Sequence, residues 1–220
     1  MEQTNKISVR KLALDVLQAV YDKQAYANIA LNRAIGRTHL LPLDRKFLTE
    51  LVYGTVKATG TLDYVLQKFV NRPLNKIPPM VLHTMRMGVY QILYMDKVPD
   101  SAACNEAVNL AKNYTHSGTV KFVNGVLRNI VRNKEQLEFP DFETNPAEHI
   151  ALKYWHPLWL VRMWLETLGT EQTMALCQCN NMPARLSTRV NTLKTNATEL
   201  LKILEAEGIQ AQPSLYAQDG

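Results

Sequence analysis

Three cysteines in 220 residues, at positions 104, 177 and 179, are too few and too unevenly spaced for a disulfide framework. No apolar run approaches the roughly 18 residues that a membrane span needs. The first residues, Met1–Lys6, are polar and carry no apolar signal core. These absences point to a cytoplasmic protein held in a reducing compartment. The glycines are few and dispersed, so no Gly-rich phosphate loop and no strand-turn-helix nucleotide fingerprint is formed. The histidines (39, 83, 116, 149 and 156) make no helical i, i+4 pair for a metal. Cys177 and Cys179 are two residues apart, which on a helix turns their thiols about 200° from one another. Cys104 sits among alanines and reads as a small core residue. The residues therefore supply no catalytic, cofactor-binding or metal-binding candidate.

What is present is a charge split. The net charge of +5 conceals 19 Lys+Arg against 9 Asp+Glu in residues 1–134, and 6 against 11 in residues 135–220. A basic first part followed by an acidic second part suggests that only the first meets a polyanion.

Helical periodicity runs through that basic part. Ser8 is placed to cap a helix whose inner stripe is Val9, Leu12, Ala13, Val16, Leu17 and Val20. A short helix covers Ile29–Ile35 and ends at Gly36. Asp44 opens a third helix, with Phe47, Leu48, Leu51, Val52 and Val56 inward. Gly60 reads as its breaker and Thr61 as the start of the next. Pro73, Pro78 and Pro79 mark a turn. The segment Met80–Tyr94 is apolar on most sides and belongs at the centre of a bundle. Two more helices follow Pro99 and Gly118.

Residues 1–134 thus read as an all-α antiparallel bundle. Residues 135–180 read as an acidic linker with connecting helices near 146–154, 157–168 and 170–180. Residues 181–220 break the pattern. Leu186–Asn191 alternates like a strand, Ala197–Glu207 is helical and closed by Gly208, and Ile209–Pro213 is a second strand. That strand–helix–strand unit is too small to bury a core alone and reads as an incomplete α/β subdomain.

Basic and amide side chains on the helices form the candidate interface. They are Arg10 and Lys11, then Arg45 and Lys46, then Lys121, Asn124, Arg128 and Arg132. The last four recur at three- or four-residue spacing and share one helical face. Such a row can follow a phosphate backbone, arginine binding phosphate bidentately. A solvated face with intrahelical ion pairs is the alternative for each residue. Glu106 reads as a buried acid paired with Arg86 or Arg128, or as a helix cap. Tyr53, Tyr64, Tyr90 and Tyr94 read as core or rim aromatics.

Six segments carry a resemblance. Leu43-Asp-Arg-Lys-Phe-Leu-Thr-Glu-Leu-Val-Tyr-Gly54 is similar to the D-R-x-F…L-V-Y-G signature of NusB-like domains fused to RNA methyltransferases. Met85-Arg-Met-Gly-Val-Tyr-Gln-Ile-Leu-Tyr94 resembles their L-R-x-G-x-Y-Q-L-L-Y helix. Ser101-Ala-Ala-Cys-Asn-Glu-Ala-Val108 and Phe122-Val-Asn-Gly-Val-Leu-Arg128 resemble A-x-N-E-A-V and F-V-N-x-V-L-R. Tyr154-Trp-His-Pro-Leu-Trp-Leu160 and Arg189-Val-Asn-Thr-Leu193 resemble the H-P-x-W-L and R-V-N-x-L segments that separate these enzymes from stand-alone NusB factors.

The resemblance implies the N-terminal part of a Sun/RsmB-type 16S rRNA cytosine-C5 methyltransferase. In that family a helical domain binds small-subunit rRNA, and a later domain binds S-adenosylmethionine and carries two catalytic cysteines. Neither the methyl-donor loop nor the Pro-Cys and Thr-Cys motifs occur among these residues, so no catalytic role passes to Cys104, Cys177 or Cys179. The expectation is an RNA-delivery fragment that is inactive alone, with the catalytic domain as its partner in cis. The alternative is a NusB-like protein-interaction or antitermination-type module whose main partner is a protein.

Overall fold

The computed structural model describes residues 8–184, 186–214 and 217; the polar Met1–Lys6 stretch lies outside the described residues. Ten α-helices and two short 3-10 turns account for the regular structure, and no strand forms among the described residues. No helix among them is long and apolar enough to cross a membrane. The chain divides into two compact units, Met1–Cys179 and Asn180–Gly220.

Seven helices build the bundle of the first unit: α1 (Val9–Lys23), α2 (Ala27–Gly36), α3 (Pro42–Lys57), α4 (Thr59–Phe69), α5 (Pro79–Tyr94), α6 (Asp100–Ala111) and α7 (Ser117–Asn133). The Ser8 hydroxyl accepts the Lys11 N–H and caps α1. Pro42 and Pro79 start α3 and α5, where a missing N–H costs nothing. Helix α5 packs against α1, α3, α4, α6 and α7. Eleven of its sixteen residues are buried, which is why its sequence is apolar all round. Leu14, Leu17, Leu48, Leu51, Leu62, Met85 and Leu127 are fully enclosed in the shared core. Each such side chain contributes about 1.5–3 kcal/mol on leaving water.

The break between α3 and α4 falls at Ala58, two residues before the expected Gly60. The Thr59 hydroxyl donates to the Thr55 and Val56 carbonyls and meets the Tyr21 hydroxyl at 2.7 Å. The backbone of Ala58 (φ −84°, ψ 5°) leaves the helical ψ and ends α3, while Gly60 is absorbed in the first turn of α4.

A polar cluster ties α1 to α4 and α5. Arg86 donates to both Asp63 carboxylate oxygens at 2.7 Å and lies over the Tyr21 ring. His83, 3% exposed, stacks on Tyr21 and meets the Asp22 carboxylate through Nε2 at 2.8 Å. Its Nδ1 is buried and unpartnered, so the neutral ring with Nε2–H donating to Asp22 fits. Burial lowers the His83 pKa, and the Asp22 hydrogen bond only partly offsets this. The folded state therefore takes up a proton less readily than the unfolded chain. Stability from this site is complete above the unfolded value, about 6.5, and is lost as pH falls through the lower folded value. Denaturant midpoints measured from pH 7.5 to 5 should fall, and His83→Gln should flatten that slope. An unchanged slope would exclude His83 as its source.

Past a 3-10 turn at Lys134–Gln136, helices α8 (Pro146–Lys153) and α9 (Leu158–Asn181) follow. A second small core holds Ile150, Ala151, Val161 and Cys177. Helix α9 kinks at Gly169 (φ 74°, ψ 175°), a conformation essentially restricted to glycine. This is the junction expected between helices 157–168 and 170–180.

In the second unit, Asn196 caps α10 (Ala197–Ala206) by accepting the Glu199 N–H, and Gly208 (φ 77°) follows it. The two expected strands are not formed. Thr188 and Val190 from one segment, and Ala211 and Pro213 from the other, line a small space against Leu200, Leu201 and Leu204. The apolar alternation directs the side chains to α10, but a strand also requires ladder hydrogen bonds to a neighbouring strand. Among the described residues neither segment makes them.

Candidate nucleic-acid interface

Helix α7 buries Val123, Val126, Leu127 and Ile130 on one side. At about 100° per residue, Lys121, Asn124, Arg128 and Arg132 fall together on the opposite side. Lys121, Arg128 and Arg132 are exposed and Asn124 is half-buried. The Asn124 carbonyl oxygen accepts from Arg128 Nε at 2.9 Å. Asn129 likewise accepts from Arg132 at 3.3 Å. Each amide holds a guanidinium in place and leaves its other N–H groups facing water. The result is a row of fixed cations along one helix, suited to successive phosphates.

The other candidates gather where the N-termini of α1 and α3 meet. Arg10, expected in the candidate interface, is half-buried. Its guanidinium lies over the Phe47 ring, and its Nε donates to Gln91 Oε1 at 2.7 Å. The Gln91 amide in turn donates to the Met87 carbonyl. Burial lowers the Arg10 pKa and the charge of Glu106 opposes that shift. Glu106 thus acts on Arg10 through its charge, whereas Arg86 is committed to Asp63. Lys11 pairs with Asp15 and lies over Tyr114. Arg45 and Lys46, in the first turns of α3, are exposed. Arg10 braces the bundle, so Lys11, Arg45 and Lys46 carry the accessible charge here.

One neighbouring cation was not visible as a candidate. Arg72, just after α4, lies over the Phe122 ring of α7 at 5.0 Å. Together with Asn71 and Asn129 it lines a cleft of about 320 Å³ beside the α7 row. Nothing in local spacing pairs residues 72 and 122, because only the packing of α4 on α7 brings them together. Tyr90 and Tyr94 pack edge-on to Trp155, as expected of structural aromatics, while Tyr53 is exposed. Cys104 and Cys177 are buried, and burial raises both thiols above their ordinary range. No group of three or more metal-ligating side chains occurs among the described residues.

Comparison with known proteins places this geometry. The chain is 39% identical over 216 residues to "Probable ribosomal RNA small subunit methyltransferase B" of Bacillus subtilis (strain 168). That match covers 97% of this chain and 47% of the relative, so the chain spans about half the length of the curated relatives it matches. The crystal structure of PH0851 superposes with a TM-score of 0.66 at 21% identity, covering 97% of this chain and 48% of that one. The structure titled "Antitermination Factors NusB and NusE in complex with dsRNA" gives 0.52 at 19% identity, covering 56% and 93%. At these identities the two structures speak for the fold. A model of the RsmF/B-like methyltransferase ferredoxin-like domain matches residues 156–220. Residues 7–132, more than half of the chain, match the NusB family, and with the seven-helix bundle they show that this chain belongs to it.

Proposed function

We propose that the chain is the RNA-binding region of an S-adenosylmethionine-dependent 16S rRNA (cytosine-C5) methyltransferase. The methyl donor and the catalytic cysteines are assigned to sequence outside these 220 residues. In this reading residues 1–134 bind small-subunit rRNA in the cytoplasm, residues 135–180 connect, and residues 181–220 open the α/β subdomain before the catalytic domain. The observation that carries it is the similarity over nearly the whole chain to a protein named as an rRNA small subunit methyltransferase, on a bundle with a fixed cationic row. Lys121, Asn124, Arg128, Arg132, Lys11, Arg45 and Lys46 would touch phosphates, with Arg10 supporting the α1 end. Shape of the folded RNA would supply selectivity.

The exposed Trp159 and Met163, one turn apart on α9, favour a second reading. They form an apolar spot of the kind that meets protein, whether a catalytic domain in cis or a separate partner. Salt separates the two readings. Affinity for a small-subunit rRNA fragment should fall about 100-fold between roughly 50 and 200 mM salt if several phosphates are neutralised. RNA binding that is absent, or insensitive to salt, would overturn the RNA reading and leave the protein surface.

A further inference from the structure

A cavity of about 770 Å³ opens between α4 and the α8 end of the first unit. It lies apart from the cationic row and uses none of its residues. Its size falls in the range of small-molecule sites, far above what one water needs. Tyr64, whose ring also carries Lys68 over it at 4.8 Å and Phe139 beside it, lines one side, and Trp155 and His156 line another. Trp155 holds a left-handed backbone (φ 59°), which a bulky residue adopts only at a cost. Its indole is locked edge-on against Tyr94, with ring centroids 4.7 Å apart. The Thr61 hydroxyl donates to the Leu152 carbonyl at 2.6 Å and clamps the floor. The walls are thus fixed by the bundle.

The polar groups of this cavity are mostly acceptors. Among the described residues the Glu148 carboxylate, His156 Nε2 and Gln67 Oε1 make no hydrogen bond. Asp63 adds a carboxylate already held by Arg86. Aromatic walls and spare acceptors together suit a flat ring with N–H donors.

We propose that this cavity takes an unpaired, amino-bearing nucleobase of the bound RNA, stacked near Tyr64 and Trp155 with its exocyclic amine donated to Glu148. The inference rests on the RNA-binding reading above and gives it a pocket that reads a base. A free nucleotide has the same chemistry, and the test separates the two sources.

Gly60 allows a clean block. It lies in α4 at the cavity, and an added Cβ meets nothing within 4 Å. Gly60→Leu would put a branched side chain at the cavity wall and obstruct it, and a non-glycine residue suits a helix better. The probes are a single-stranded RNA containing one 2-aminopurine, the same RNA with unsubstituted purine, and cytidine 5′-monophosphate. All are titrated into the 220-residue chain and its variants. The wild type should quench 2-aminopurine and bind that RNA about tenfold more tightly than the purine RNA. Gly60→Leu should abolish the quenching, and Glu148→Ala should remove the preference, while salt-sensitive RNA affinity persists in both. Salt-sensitive binding with quenching unchanged in Gly60→Leu would overturn the pocket and leave the RNA reading intact. No RNA binding by the wild type would overturn both. Cytidine monophosphate binding that is lost in Gly60→Leu, yet uncompeted by RNA, would overturn the RNA source in favour of a free nucleotide. An apolar partner helix that alone competes for the cavity would overturn the nucleobase.

Discussion

Replacing Lys121, Arg128 and Arg132 together by glutamate should weaken rRNA binding about 100-fold near physiological salt, without unfolding the chain. The three side chains are exposed on the side of α7 opposite its buried stripe. Their loss therefore removes no core packing. In single-stranded RNA each neutralised phosphate releases about 0.7 counterion, worth roughly fourfold in affinity at ~0.15 M salt. Three such contacts give roughly 50-fold, and the repulsion added by charge reversal brings the loss to about 100-fold. The same experiment has a second readout: the slope of log affinity against log salt should flatten by about 2. Equal slopes for wild type and triple variant would remove α7 from the interface. Asn124→Ala is the finer test, since it frees Arg128 from its 2.9 Å bond without changing charge. It should cost a smaller factor and leave the slope alone.

Gly54→Ala should be among the most damaging single substitutions in the protein. By helix propensity alone, alanine would stabilise the interior of α3 by about 1 kcal/mol. Packing reverses the sign. A Cβ at Gly54 would stand 1.9 Å from Tyr90 Cζ and 2.0 Å from its hydroxyl oxygen. The ring has little room to retreat. It is 2% exposed, its hydroxyl donates to Glu50 Oε1 at 2.7 Å, and Tyr94 and Trp155 pack beside it. Burial and Glu50 both raise the Tyr90 pKa, so the phenol stays a donor across the physiological range. Overpacking of this kind costs about 3 kcal/mol. Denaturant unfolding should show that loss in Gly54→Ala, and close to none when Gly54→Ala is made in a Tyr90→Ala background. An equal cost in both backgrounds would show that the contact between Gly54 and Tyr90 is not its cause.

The contrast between these two positions explains how much was legible beforehand. The α7 row was readable because its residues lie three or four apart, and helical geometry alone puts them on one face. The same holds for the Ser8 cap, the enclosed α5 and the glycine closing α10. The resemblance through Leu43–Gly54 and Phe122–Arg128 pointed to the bundle that the NusB-family match then placed. The burial of Arg10 was not legible because its partners, Phe47 and Gln91, are 37 and 81 residues away, and no local pattern records them. The pairing of Arg86 with Asp63 rather than Glu106 was lost in the same way.

Local periodicity and capping chemistry by themselves determined that this protein is a helical bundle with a basic helix face, since each depends on neighbours within a turn. Tertiary structure decided which cations are spent inside the fold, where α3 ends, and that a cavity opens beside Trp155. It also decided that segments 186–191 and 209–213 form no strands among the described residues. These outcomes depend on hydrogen bonds and contacts between residues far apart in the chain, and only the packed chain brings those partners within reach.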